Sequence, residues 1–118
     1  MRLSTDPFSM NPFFSPDSLP TPEPVGEGIS REILAYGPEL MLVRVRFAAG
    51  AVGAPHQHPH VQITYVESGV FRCRVGGQEL RLSAGEGFHA AANVEHGVVC
   101  EQAGVLLDSF SPLRADFL

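Results

Sequence analysis

From Ile29 onward the chain is written in short apolar runs that alternate with polar positions and are cut by glycine and proline. Met41, Val43, Val45 and Phe47 alternate with Leu42, Arg44 and Arg46, a period of two that predicts a strand with one basic face. Gly50 to Pro55 predicts a break. Gln62 to Val66 reads as the next strand, Ser68-Gly69 as a tight turn and Phe71 to Val75 as its hairpin partner. Gly76-Gly77 is a two-residue hairpin signal that accepts positive φ at both positions, after which Gln78 to Leu82 pairs back. Ala84 to Gly87 turns into Phe88-His89-Ala90, and Val105 to Phe110 forms a late strand that Ser111-Pro112 ends. About seven short strands with no helical period predict an all-β antiparallel sandwich or barrel and exclude a helical bundle.

The first 24 residues follow another grammar. Six of the ten prolines lie there, at positions 7, 12, 16, 20, 22 and 24. Each removes a backbone donor and restricts the residue before it, so residues 1–24 are expected to be an extended arm and residues 25–118 the barrel domain. Phe8, Phe13 and Phe14 make the arm too apolar for a purely solvating tail, which leaves two readings: an arm laid across the domain or a neighbouring subunit, or a disordered one. Small barrels leave sheet edges to cover, and an apolar arm could cover one, so a homodimer is expected.

With 118 residues and 44% hydrophobic content, one core is the expectation. The net charge of -5 argues against a nucleic-acid partner held through phosphates. All eight basic residues are arginine; the absence of lysine removes Schiff-base catalysis and the phosphate-loop lysine. Cys73 and Cys100 lack C-x-x-C spacing and read as buried free thiols. No run has the length of a membrane span, and the N-terminus lacks the apolar core of a secretory signal, so a cytoplasmic protein without a membrane partner is expected.

The candidate chemistry lies in His56-Gln57-His58-Pro59-His60-Val61-Gln62, which holds three of the five histidines. On an extended strand positions 56, 58, 60 and 62 project to one face, the arrangement of a metal site in which imidazole nitrogens and an amide oxygen share an ion. A solvated His-Pro-His surface loop is the bland alternative. A further histidine must come from a distant segment, and Val94-Glu95-His96-Gly97 supplies one after a turn.

That spacing carries a resemblance. Gly50, five residues, His56, one residue, His58, three residues, Gln62, six residues, Gly69 resembles the first cupin motif, with Gln62 where most cupins carry glutamate. Gly85, five residues, Ala91, one residue, Asn93, two residues, His96 resembles the second, with Ala91, Asn93 and Cys100 in place of its proline, glycine and last asparagine. Within cupins the chain is most similar to the KdgF family of pectin and alginate degradation, through Val25 to Ile29, Leu40 to Val43, His56 to Tyr65, Val94 to Val98 and the tail Leu107 to Leu118. The resemblance implies a small single-domain cupin, a double-stranded β-helix or jelly-roll barrel. It also implies His56, His58, Gln62 and His96 as ligands of a divalent metal (zinc, nickel, iron or manganese) and Asp108 with Phe110 as the catalytic pair. The implied activity converts 4,5-unsaturated monouronates into open-chain 4-deoxy-5-keto-uronates.

Read as residues alone, Asp108 and Phe110 share a face by period two; the first could equally be a hydrogen-bonded turn residue and the second a core aromatic. His60 has the parity of the ligands but follows Pro59, which can rotate the strand, so a substrate or ligand-supporting contact is favoured for it while spacing alone does not remove it from the ligand set. Arg44, Arg46, Arg72, Arg74 and Arg114 are candidates for a substrate carboxylate, with Arg114 favoured through its place in the tail. Gln62, unlike glutamate, leaves the full charge of the ion to attract an anionic sugar acid. Two other functions fit the same residues: an Fe(II) cupin dioxygenase, and a non-enzymatic sugar-binding cupin.

Overall fold

The computed structural model describes residues 12–118. Eight strands carry the architecture: β1 Glu23–Gly26, β2 Ile29–Gly37, β3 Leu40–Phe47, β4 Val52–His56, β5 Val61–Val75, β6 Gln78–Ser83, β7 Gly87–Ala90 and β8 His96–Ser111. All pair antiparallel, in the order β1-β2-β3-β8-β5-β6, with β4 also on β8 and β7 also on β5. The jelly-roll expectation is met. Among the described residues no helix is long and apolar enough to cross a membrane.

The two longest strands build the barrel. β5 and β8 pair with each other from Val61↔Ser111 to Val75↔His96, but their outer neighbours change half-way. The first half of β5 has β7 on its other side and the second half has β6; the second half of β8 has β3 and the first half has β4. The pair is therefore folded over on itself, one half in each of two layers. The fold lies at Val66 to Phe71, where the register slips three times. Gly69 adopts a φ of 85°, and a Cβ on it would stand 2.6 Å from the Gly104 Cα, so the crossing needs glycine on both strands.

Several sequence expectations are corrected here. Ser68-Gly69 is not a hairpin turn; the residues on either side belong to one strand bent at a bulge. Gly50 to Pro55 is not simply a break, because Val52–His56 forms β4, an edge strand paired only with β8, where Pro55 needs no backbone donor. β8 begins at His96, nine residues before the expected late strand at Val105. The Gly76-Gly77 hairpin forms, with Gly76 alone of the two at positive φ. In the arm, Pro16–Ser18 makes one 3-10 turn rather than extended chain, with proline at its tolerated first position. Phe13 and Phe14 are exposed on this chain, and Phe8 lies outside the described residues.

The inner faces of the two layers enclose a core of Phe47, Val66, Phe71, Cys73, Leu82, Val98, Cys100 and Leu106. Phe47 meets Phe71 edge to face at 5.2 Å. Both cysteines are free and buried, as expected. A second cluster, Met41, Val43 and Phe110, is extended by Leu113 and Phe117 of the tail and lies beside the histidines.

Candidate active site and metal centre

Folding β5 and β8 over brings both ends of each strand to one end of the barrel. Gln62 enters near the start of β5 in one layer, and His96 opens β8 in the other. His56 ends β4 directly opposite His96. His58 comes from the connection between β4 and β5, so the even positions do not share one strand as expected; a strand end, a turn and a second strand deliver them. His56, His58 and His96 nevertheless converge, with possible ligand atoms all within 4.8 Å of one another, and could hold a metal ion.

Each of these imidazoles is aimed by a backbone carbonyl. Nδ1 lies 2.9 Å from the Ala54 oxygen in His56, from the His60 oxygen in His58 and from the Val94 oxygen in His96. A carbonyl only accepts, so each Nδ1 carries the proton and each Nε2 presents a lone pair. Burial lowers the pKa of His96, which keeps that lone pair free. Gln62 adds an oxygen: its Oε1 is 3.0 Å from both His58 Nε2 and His96 Nε2. With the protons on Nδ1, no hydrogen lies in those gaps. Acceptors converging this closely in a buried pocket repel one another unless a cation stands among them, so the donor set fits a metal.

The other end of the Gln62 amide donates to Thr64 Oγ1 at 2.8 Å, and Thr64 donates to Asp108 Oδ1 at 2.7 Å. A longer contact of 3.5 Å runs from the amide nitrogen directly to Asp108. The register explains this grouping: Met41, Phe110, Gln62 and Ala90 form one row across four strands, and Val43, Asp108, Thr64 and Phe88 form the next. Both rows face the interior, so period two does place Asp108 and Phe110 together beside the ligands. Burial pushes the Asp108 carboxyl up to about 6, against the opposing pull of Thr64, His56, Gln62 and Arg114. Phe110 is buried, and its ring stands 5.8 Å from that of His58.

His60 is not part of the three-histidine group that could hold an ion, although its ring stands 5.3 Å from that of His58. Its backbone oxygen orients His58, while its ring lies near the tail, where burial, Arg114 and His58 lower its pKa. Its Nδ1 is buried without a hydrogen-bond partner among the described residues. Arg114 is the one arginine of the five candidates placed near the site. Arg44 and Arg46 project outward and pair with Glu32, and Arg44 also reaches Glu67. Arg72 and Arg74 are exposed beside Glu101 and Glu79. Arg114 is held by the two Asp116 oxygens at 3.1 and 2.9 Å and lies over the Phe117 ring at 4.3 Å. Arg31 covers Phe117 at 3.8 Å, so the tail ring is flanked by two guanidinium groups.

Thr64, Asp116 and Phe117 escaped the sequence reading. Thr64 was within reach, being two residues from Gln62 on a period-two strand. Asp116 and Phe117 had no signal of their own, since a short polar-apolar tail does not reveal what it folds against.

The cupin domain family profile matches residues 43–110, the span that contains all four candidate ligands and both members of the Asp108–Phe110 pair. The chain is also 45% identical over 111 residues to the pectin degradation protein KdgF of Dickeya dadantii (strain 3937), covering 92% of this chain and 100% of that protein. The chain belongs to the cupin superfamily, in its KdgF family. Among solved structures this cupin is similar to KdgF from Halomonas sp., with 41% identity, a TM-score of 0.87 and coverage of 92% of this chain and 100% of that one. It is equally similar to an RmlC-like cupin from Shewanella frigidimarina, at 39% identity, a TM-score of 0.88 and coverage of 92% and 96%. The sequence resemblance to this family is thereby met.

Proposed function

We propose that this cupin is a metal-dependent, non-oxidative enzyme that converts 4,5-unsaturated monouronates into linear 4-deoxy-5-keto-uronates. The observation that carries the reading is the partly buried Asp108 side chain, its carboxyl raised toward neutrality and joined through Thr64 to Gln62 beside three convergent imidazoles. The likeness to a pectin degradation protein supports the substrate class.

The substrate is a cyclic hemiacetal whose ring oxygen is attached to the C4=C5 double bond. Breaking the bond from C1 to the ring oxygen and removing the C1 hydroxyl proton gives an aldehyde at C1 and an enolate at C5; delivering that proton to C4 turns the enolate into a ketone. Protons balance within the molecule, so no oxidant or reductant is consumed. Held by His56, His58, His96 and Gln62, a divalent metal would supply positive charge for the oxygen functions of an anionic sugar acid. Asp108 carries the proton, and the burial that raises its carboxyl pKa in the metal-free protein helps it to hold and give that proton. Phe110 and the tail form an apolar wall that packs the sugar and limits water. Arg114 and His60 lie on the tail side, where they would meet the substrate carboxylate. The product of a pectin or alginate lyase would be accepted.

Purified protein with a lyase-generated unsaturated monouronate should remove the absorbance of the conjugated double bond under anaerobic conditions. Chelation should abolish this, and Asp108→Asn should lower kcat by about 100-fold or more. Turnover no faster than the spontaneous reaction with zinc, nickel, iron or manganese present would sink the proposal. Turnover only with oxygen consumption would favour a dioxygenase.

A further inference from the structure

A glutamine side chain has two ends of nearly the same shape, and only its hydrogen bonds decide which end points where. In this site the choice matters, because an oxygen can join a metal shell and an NH2 group cannot. The histidine side of Gln62 does not favour the oxygen in the absence of a cation. With Nδ1 of both His58 and His96 committed to backbone carbonyls, the two Nε2 lone pairs would accept readily from an amide NH2. The selection must come from the opposite side. There Thr64, buried to 1% exposure, stands in register with Asp108 and two residues along from Gln62. A hydroxyl has one proton. Thr64 directs it to Asp108 Oδ1 at 2.7 Å, which leaves Oγ1 as an acceptor for the Gln62 nitrogen at 2.8 Å. The bonds thus run in one direction, from amide to hydroxyl to carboxyl oxygen, and the amide oxygen is turned toward the histidines.

We infer that Thr64 is a positioning residue: its hydroxyl selects the oxygen end of Gln62 as the metal-facing end and ties that ligand to Asp108. No other described side chain is hydrogen-bonded to the Gln62 nitrogen apart from the longer Asp108 contact at 3.5 Å, which is too stretched to select an orientation alone. Without the hydroxyl, the amide is free to turn over and satisfy the two imidazoles with its NH2 group, which closes the site to a cation. Partners of a ligand that lie one bond removed from the metal commonly carry about 10- to 100-fold of its affinity.

The inference rests on the metal reading above, and the test separates the two. Metal-stripped wild type, Thr64→Val, Thr64→Ser and Thr64→Ala are titrated with zinc and, separately, nickel against a chromophoric competitor, and their metal-free unfolding midpoints are recorded. Thr64→Val should bind about 10- to 100-fold more weakly and Thr64→Ser should stay within a few fold of wild type, while the metal-free midpoints record separately the cost of losing the Thr64–Asp108 hydrogen bond. If Thr64→Val is not recovered folded, Thr64→Ala set against Thr64→Ser isolates the hydroxyl in the same way. In the zinc-loaded wild type, the Gln62 side-chain amide protons should give nuclear Overhauser effects to Thr64 and not to the imidazole ring protons. Wild-type affinity in the variants lacking the hydroxyl, or amide contacts to the imidazoles in the loaded protein, overturns the inference; a wild type that takes up neither metal overturns the metal reading instead.

Discussion

At the scale of single residues, the site sets two titrating groups against each other. Asp108 has its pKa raised from 3.8 to about 6 by burial, so it folds more readily as the neutral acid. Its contribution to stability is complete below the ordinary carboxyl range and is lost as pH rises through about 6. A shift of about two units corresponds to at most about 3 kcal/mol. His96 acts in the opposite direction: burial depresses its pKa, so its contribution is present above the ordinary histidine range and lost as pH falls. Because the two overlap, a single pH profile mixes them, whereas a difference between variants does not. In metal-free protein, urea unfolding of wild type and Asp108→Asn should show wild type losing up to about 3 kcal/mol relative to the variant between about pH 4 and about pH 7. A constant difference across that range would mean that the carboxyl is not penalised by burial. The comparison belongs to the metal-free state, since a cation beside Gln62 would favour the charged carboxylate.

At the scale of elements, the corner in β5 and β8 brings Gln62 and His96 to the same end of the barrel, although they are far apart in sequence. Gly69 combines a φ of 85° with a Cβ position 2.6 Å from the Gly104 Cα and 2.7 Å from the Gln102 carbonyl oxygen, all backbone that cannot swing aside. Gly69→Ala should therefore cost about 3 kcal/mol or more, seen as a lower urea midpoint. Gly76→Ala is the control: its φ is 59°, but the nearest atom to a new Cβ is Val94 Cγ1 at 3.8 Å, so only the backbone cost of about 1–2 kcal/mol applies. Equal costs for the two would show that the crossing is not the tight point. The same corner explains where the sequence was legible and where it was not. Period-two alternation separated the two faces of β3, and motif spacing identified His56, His58, Gln62 and His96, because both are local. Ser68-Gly69 read as a turn because a bend within a strand and a turn between strands use the same residues; only Gly104, remote in the chain, distinguishes them. β4 was hidden by Gly53 and Pro55, which are breakers in a central strand and harmless on an edge. Arg44 and Arg46 were offered as substrate contacts because alternation shows that they share a face without showing that this face is the outer one.

At the scale of the whole molecule, the site is a junction. Its possible ligands come from the end of β4, the connection after it, the start of β5 and the start of β8, so a bound ion would link both layers of the barrel at one end. The chain as a whole carries a net charge of -5, which favours a cation there over an anion at long range. Such linkage makes stability depend on free metal. A ligand that binds the folded state alone adds RT ln(1 + [L]/Kd), about 2.7 kcal/mol when free metal is 100 times Kd. For a domain of this size, 1 kcal/mol moves Tm by roughly 4–8 °C, so a rise of about 10–20 °C is expected on adding zinc or nickel to chelated protein. The shift should grow with the logarithm of free metal and shrink as pH falls and the imidazoles protonate. The triple replacement of His56, His58 and His96 by alanine should remove the shift while the metal-free protein still unfolds cooperatively. Differential scanning calorimetry at several buffered metal concentrations checks it. A midpoint that does not respond to metal in wild type, or responds equally in the alanine variant, would mean that the three imidazoles do not form the binding site.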